Sequence, residues 1–337
     1  MTANLYLHPD TFIYNEVDTY DQISSKLYNL VNDMVKVITE HRDENSFKVP
    51  MSLMTVPVYK KETIIEIAES CLGNDSIGVF YTMLADTSDK YDGISLEELR
   101  KKCIYCADEE EVNSILVFNV PAEDLPEEET IKDEDEAKRK HRSIINDYIT
   151  FEKYEVVYNK QTWYHLRRQI LGNHPETPSQ FICECKKYFP NLCFHDNCVS
   201  SLVDEEFHYL ETSPRKIIYY LSCLNDKFNE VYKRHLVKGS DANTILEDFS
   251  GIYGLDEPGS LQQRPEKKPL LRFCFKRNDS TKCDVLCEPH LKISQEDSNC
   301  KVQPIDYRKF HPRIYFSFSN PEVERGRILV GSIGRHI

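Results

Sequence analysis

The chain contains one tryptophan and only 11 glycines in 337 residues. Its longest nearly unbroken apolar run, Ile217 to Leu224, is far shorter than the roughly 18–20 residues that span a bilayer. No membrane partner is therefore expected. Met1-Thr2-Ala3-Asn4-Leu5 lacks a basic segment followed by an apolar stretch, so no secretory leader is expected either. No GxxxxGK[ST] occurs, and Gly326, Gly331 and Gly334 do not have GxGxxG spacing. GxSxG, HExxH and paired CxxC patterns are also missing. These absences remove the best-marked nucleotide-binding, hydrolase and zinc-ribbon chemistries. No internal repeat or coiled-coil pattern is present.

What is present is an uneven distribution of charge. The formal net charge is −14, yet residues 264–337 carry 15 Lys+Arg against 9 Asp+Glu. That segment has a net charge of +6, which leaves −20 on residues 1–263. A basic end on an acidic body suggests two classes of partner in one chain. The length allows about two or three domains.

Helical periodicity dominates the body. Thr19 and Gln22 have capping-box spacing, and Ile23, Leu27, Leu30, Val31, Met34 and Ile38 follow at steps of three and four. Further helices are predicted at 61–72, 76–84, from Ser95 and at 108–118, which makes 1–119 an N-terminal helical domain. The helix–turn–helix look of 95–118 is not read as DNA binding, because Asp108-Glu109-Glu110-Glu111 would repel phosphate. Residues 120–149 form an acidic linker and a charged helix. Nine of the fourteen residues from Glu123 to Glu136 are Asp or Glu. Residues 150–255 read as a middle helical domain. Its helices are marked by Trp163 to Leu171, by Thr177-Pro178, and by Ser213-Pro214 running on to Gly239, with Ser240 capping a last helix.

A turn-rich junction at 256–269 ends this pattern, and the period then changes to two. Leu271, Phe273 and Phe275 alternate with Arg272, Cys274 and Lys276; Ile314, Phe316 and Phe318 alternate with Arg313, Tyr315 and Ser317. Residues 270–337 are thus a basic, mostly antiparallel sheet domain. The fold class is α+β: a mainly helical body of two regions followed by a small C-terminal sheet.

Twelve cysteines without a leader read as reduced thiols in a cytoplasmic setting. Cys185, Cys193, His195 and Cys198 could supply four zinc ligands, and Cys283, Cys287 and His290 three. Cys183 and Cys185 diverge by roughly 200° on one helix and do not share an ion easily. Buried thiols are the preferred reading, and no cofactor or metal is expected.

The densest basic group is Lys292, Arg308, Lys309, His311, Arg313, Arg325, Arg327, Arg335 and His336. Alternation places Arg313 and Tyr315 opposite Ile314 and Phe316, on a face that could hold phosphates and stack bases. The competing reading buries Tyr315 and pairs the arginines with carboxylates.

Arg313-Ile314-Tyr315-Phe316, a turn, and Arg327-Ile328-Leu329-Val330 through Gly334-Arg335-His336 resemble the end of RelE/ParE-type toxins, with Pro289 to Ile293 similar to the preceding strand. The resemblance covers about 50 residues. It implies a small antiparallel sheet and either a ribosome-linked mRNA endonuclease or a gyrase-targeting protein. Arg313, Arg327, Arg335 and His336 match the basic site residues by position; a tyrosine after Tyr315 is missing, and the chain is over three times the usual family length. The implied chemistry is metal-independent RNA cleavage, with His336 or His311 moving the proton and Arg313, Arg327 and Arg335 clamping the phosphate. Lys292, Arg308, Lys309, Tyr315 and Arg325 would bind nucleic acid. Two functions are therefore expected in competition. One is a toxin-like effector acting on RNA or the ribosome, restrained by its acidic body. The other is a non-enzymatic protein-interaction subunit of a larger assembly, such as a defence or toxin–antitoxin complex, whose sheet is a packing module or RNA platform.

Overall fold

The computed structural model describes residues 2–7, 19–25, 27, 28, 31, 44–50, 55, 57–85, 89–91, 112–116, 156–157, 160–203, 209–262, 264–293, 312–335 and 337. The chain is α+β and divides into two compact units, residues 1–130 with 150–166, and residues 131–149 with 167–337.

In the first unit β1 (Ala3–Leu7), β2 (Asn45–Pro50), β5 (Asp89–Tyr91), β6 (Val112–Leu116) and β7 (Val156–Val157) form one sheet in the order β5-β2-β1-β6-β7. Every pairing in it is parallel. The direction of the crossovers reverses between β1 and β6, the arrangement of doubly wound sheets. A short hairpin of β3 (Pro57–Tyr59) and β4 (Glu62–Thr63) leads into α1 (Ile64–Cys71) and α2 (Asn74–Ala85). This sheet corrects the expectation of a wholly helical N-terminal region. The helix predicted at 108–118 is strand β6 where it is described, and Val112 and Ile115 are β-branched residues suited to a pleated strand. The helix predicted from Ser95 and the acidic linker at 120–149 lie outside the described residues. The helices predicted at 61–72 and 76–84 appear as α1 and α2, and the helix after Thr19 is present where it is described. Thr19 and Gln22 exchange capping bonds, with Ile23, Leu27 and Val31 buried behind them. Thr63 and Glu66 form a second capping box at α1.

The second unit opens on α3 (Lys160–Asn173), which the unit boundary crosses, and α4 (Pro178–Tyr188). Then come β8 (Leu192–Phe194), α5 (Asn197–Leu202), α6 (Tyr209–Thr212), α7 (Pro214–Asp226), α8 (Phe228–Lys238) and α9 (Ala242–Ile252). The long helix expected from Ser213 to Gly239 is two, broken at Lys227. The residues before the break are drawn into side-chain bonds. Asp226 receives both Nη1 and Nη2 of the buried Arg168, at 2.6 and 3.4 Å. Asn225 Oδ1 accepts the Asn191 N–H at 2.8 Å. Arg168 Nε donates to the Tyr188 carbonyl at 2.8 Å, and the guanidinium lies over the Phe189 ring at 4.5 Å. Asp241, not Ser240, caps α9.

The C-terminal strands are β9 (Arg272–Lys276), β10 (Lys282–Leu286), β11 (His290–Lys292), β12 (Arg313–Ser317) and β13 (Ile328–Gly334). β11, β12 and β13 are antiparallel, and β8 joins β13 in parallel, in the order β11-β12-β13-β8. β9 and β10 make a separate hairpin. One face of the four-stranded sheet shares a core with the helices, including Phe181, Phe228, Phe249, Ile314, Phe316, Ile328, Val330 and Ile333. The other face packs with Leu271, Phe273, Phe275 and Cys287. The middle helices and the sheet therefore belong to one body.

Gly331 is central to that packing. The register of β12 on β13 shifts between Tyr315 and Phe316, so Gly331 is an extra, bulged residue. A Cβ there would overlap the Phe273 ring and lie 3.1 Å from Cys287 Cβ. At Gly334, φ is +146° and a Cβ would strike the Ser201 carbonyl. Gly331→Ala is expected to cost about 1–3 kcal/mol through overpacking, and combining it with Phe273→Ala should remove most of the additional loss. Denaturant melts of the two single variants and the double variant check this; an unchanged melt for Gly331→Ala would contradict it.

Candidate nucleic-acid interface

The face expected to be open is covered. Tyr315 is fully buried, its ring centroid lies 5.0 Å from that of His290, and its hydroxyl accepts the Ile337 N–H at 3.2 Å. Burial raises the pKa of that phenol above its ordinary value. Tyr315 cannot stack a base, because the hairpin side of the sheet encloses it with Phe273, Phe275 and Leu329.

The expected basic site also divides. Lys292 is opposite Arg313, and Arg313 is opposite Gly334, with exposed Arg335 next in the chain. Lys292 is paired with Glu257 at 3.6 Å, and Arg313 is half-buried. Arg327 precedes the other end of β13. At about 3.3 Å per residue the two ends of that strand are about 20 Å apart. Arg313 and Arg335 therefore cannot share one phosphate with Arg327. Arg327 is also engaged locally: Nη2 lies 2.6 Å from Glu324 Oε2 and Nε donates to the Glu324 carbonyl at 3.1 Å. His311, His336, Arg308 and Lys309 lie outside the described residues.

Open positive charge lies instead on the β9–β10 hairpin. Phe273 and Phe275 point inward, so Arg272, Cys274 and Lys276 are exposed. Lys276 is directly opposite Lys282 in the antiparallel register. Their Cβ atoms are therefore about 5 Å apart on one face, where like charges destabilise a strand pair. Asp284, opposite Cys274, is a carboxylate on the same face. The Arg277 guanidinium at the hairpin tip makes a long contact to Glu322, at 3.8 Å.

The turn at 320–327 holds this tip. Asn278 N–H donates to the Glu322 carbonyl at 3.0 Å, its side-chain amide donates to the Pro321 carbonyl at 2.8 Å, and its Oδ1 accepts the Arg325 N–H at 2.8 Å. Glu324 Oε1 accepts the Lys276 N–H at 3.2 Å. Glu324 and Arg325 both have positive φ, +46° and +59°, a conformation that costs about 1–2 kcal/mol for each non-glycine residue. This strain is stored where the turn brings exposed Arg325 to the cationic tip. Of the described residues expected to bind nucleic acid, Arg325 is the one that joins this tip. Arg272, Lys276, Arg277 and Lys282 were absent from the expected site. The alternation of 271–276 marks Arg272 and Lys276 as outward-facing, whereas the basic group predicted from the sequence begins at Lys292.

The cysteine and histidine cluster is split by the sheet. Cys185 and Cys198 belong to the core shared with the helices, whereas Cys193 packs against the hairpin side. His195 lies against Phe273 and Phe275, with ring centroids 5.2 and 5.5 Å apart, and its Nδ1 accepts the Asn197 N–H at 3.1 Å. Desolvation lowers its pKa. Among the described residues no three His, Cys, Asp or Glu groups converge as metal ligands. Burial pushes the Cys193 thiol up to about 11 and the Cys287 thiol up to about 12, and raises Cys198 further.

Comparison with protein families, curated proteins and solved structures finds no match. The functional reading therefore rests on the site itself.

The cysteines allow a direct check of this packing. Thiols raised this far are about one part in a thousand thiolate or less at pH 8, and only the thiolate alkylates. Exposed Cys183 and Cys274 should react first with iodoacetamide, and Cys193, Cys198 and Cys287 only after denaturation. Peptide mass mapping reads the order; rapid native labelling of Cys287 would contradict it.

Proposed function

We propose that the protein is a non-enzymatic RNA-binding interaction subunit that holds RNA phosphates on the exposed face of the β9–β10 hairpin. The observation that carries this reading is the directly opposed pair Lys276 and Lys282, flanked by Arg272 and by Arg277 and Arg325 at the tip. A phosphate between the two ammonium groups would convert their repulsion into two charge-assisted contacts. The hairpin face carries no aromatic ring, so the contacts are electrostatic and tolerant of base sequence.

Cleavage is not part of this proposal. It needs several cations on one phosphate beside a proton-transfer group. Arg327 is tied to Glu324 and separated along β13 from Arg313 and Arg335. The resemblance to the toxin group enters here as a likeness of strand pattern: the segments that carry it, β12 and β13, are antiparallel neighbours. Their side chains make a two-sided core. An interaction role also suits the remainder of the chain, whose net negative charge disfavours RNA. Among the described residues no helix is long and apolar enough to cross a membrane.

The test is fluorescence anisotropy of a labelled single-stranded RNA across about 50 to 200 mM salt. The Lys276→Gln/Lys282→Gln variant should bind more weakly, and its log–log salt slope should flatten by about 1.4, about 0.7 for each lost contact. Arg313→Gln and Arg335→Gln should leave slope and affinity close to wild type. Full-length protein that binds no RNA at low salt, or binding lost through Arg313 rather than the lysine pair, would overturn the proposal.

A further inference from the structure

Helix α8 presents a second open face with different chemistry. Phe228, Val231 and His235 fix its inner side in the core, with Tyr232 stacked on Phe228. At 100° per residue, Val237 then lies opposite the core. Val237 is 90% exposed and its neighbour Leu236 57%. Lys233 and Arg234 flank Val237 on the two sides, with Lys227 and Lys238 at the helix ends, all exposed. Among the described residues no ion pair engages these four cations. Lys238 complements the helix dipole. Lys233 and Arg234, mid-helix, have no such role.

The face is held rigidly. Gly239 ends α8 in the left-handed conformation, with φ +68°. His235 bridges the two helices: Nδ1 is 2.8 Å from Ser240 Oγ, and Nε2 is 2.9 Å from Asp248 Oδ2. The serine, histidine and aspartate have the order of a hydrolytic triad. Here the serine and histidine are five residues apart in one cap, which makes the group a brace between α8 and α9. A preorganised helix face loses little freedom on binding.

We infer that this face of α8 docks an acidic segment of a partner protein, with Val237 seating an aliphatic side chain and Lys233 and Arg234 flanking it with positive charge. Charge complementarity selects this occupant. An RNA backbone would satisfy the cations but leave Val237 without a partner. A lipid surface would need an apolar face to insert, and that of α8 is already in the core. A second copy of α8 would oppose Lys233 and Arg234 with the same cations.

The probe is a labelled amphipathic peptide of about 15 residues, glutamate-rich with leucines along one helical face, and a control peptide with the leucines replaced by glutamine. Full-length protein should bind the first peptide, and Val237→Gln should weaken binding by about tenfold, as loss of one buried valine contact would. Lys233→Glu/Arg234→Glu should weaken it further, whereas Lys276→Gln/Lys282→Gln should leave it unchanged. Val237 is exposed enough that an unaltered melting temperature is expected for its variant, which separates docking from folding. The inference is overturned if the leucine peptide binds no better than the control, or if Val237→Gln binds like wild type. It is also overturned if the α8 variants impair binding to RNA or anionic vesicles rather than to the peptide.

Discussion

Strand β13 is buried along its whole length, on both faces, and the arrangement of the second unit follows from that constraint. One face packs with helical residues such as Phe181, Phe228 and Phe249, and the other with Phe273, Phe275 and Cys287. Each such large side chain removed from water contributes about 1.5–3 kcal/mol, so neither layer can be lifted off cheaply. The bulge at Gly331 admits the Phe273 ring and changes the alternation, so that Ile333 returns to the same core as Val330. With both faces closed, charged side chains are excluded from the middle of the sheet. They collect at its ends and on the outer face of the covering hairpin.

The helical side is locked by Arg168. Its guanidinium reaches Asp226, the Tyr188 carbonyl and the Phe189 ring from a fully buried position. Removing one partner of such a pair leaves a buried charge uncompensated, which costs far more than a surface ion pair contributes. Helix α7 ends beside this contact, and α8 begins at Phe228. The break turns Val237 and its flanking cations outward while Phe228 joins Phe249, Phe316 and Phe318 in the core.

Several elements were legible in the amino-acid order because their signals are local. The capping pairs Thr19–Gln22 and Thr177–Pro178, the C-terminal Gly239 and the alternation of 271–276 all depend on residues within one or two turns. The parallel sheet of the first unit was not legible. Its strands are short, widely separated in sequence and interleaved with helices, and parallel pairing adds nothing to the local period. β8, three residues long, was hidden for the same reason. For Tyr315, alternation says only that two faces differ. It does not say that a second layer covers the polar one. The capacity of β9–β10 to form that layer was written in Phe273 and Phe275, yet which surface they cover is a tertiary fact.

The central claim is that phosphate contacts lie on the hairpin and not on the enclosed strands. Photo-crosslinking of full-length protein to a thiouridine-substituted single-stranded RNA, followed by mass mapping of the adducts, tests it most directly. The account predicts adducts within 272–286 and 320–327, lost at high salt. Adducts concentrated on 313–317 and Arg335, with none on the hairpin, would contradict it.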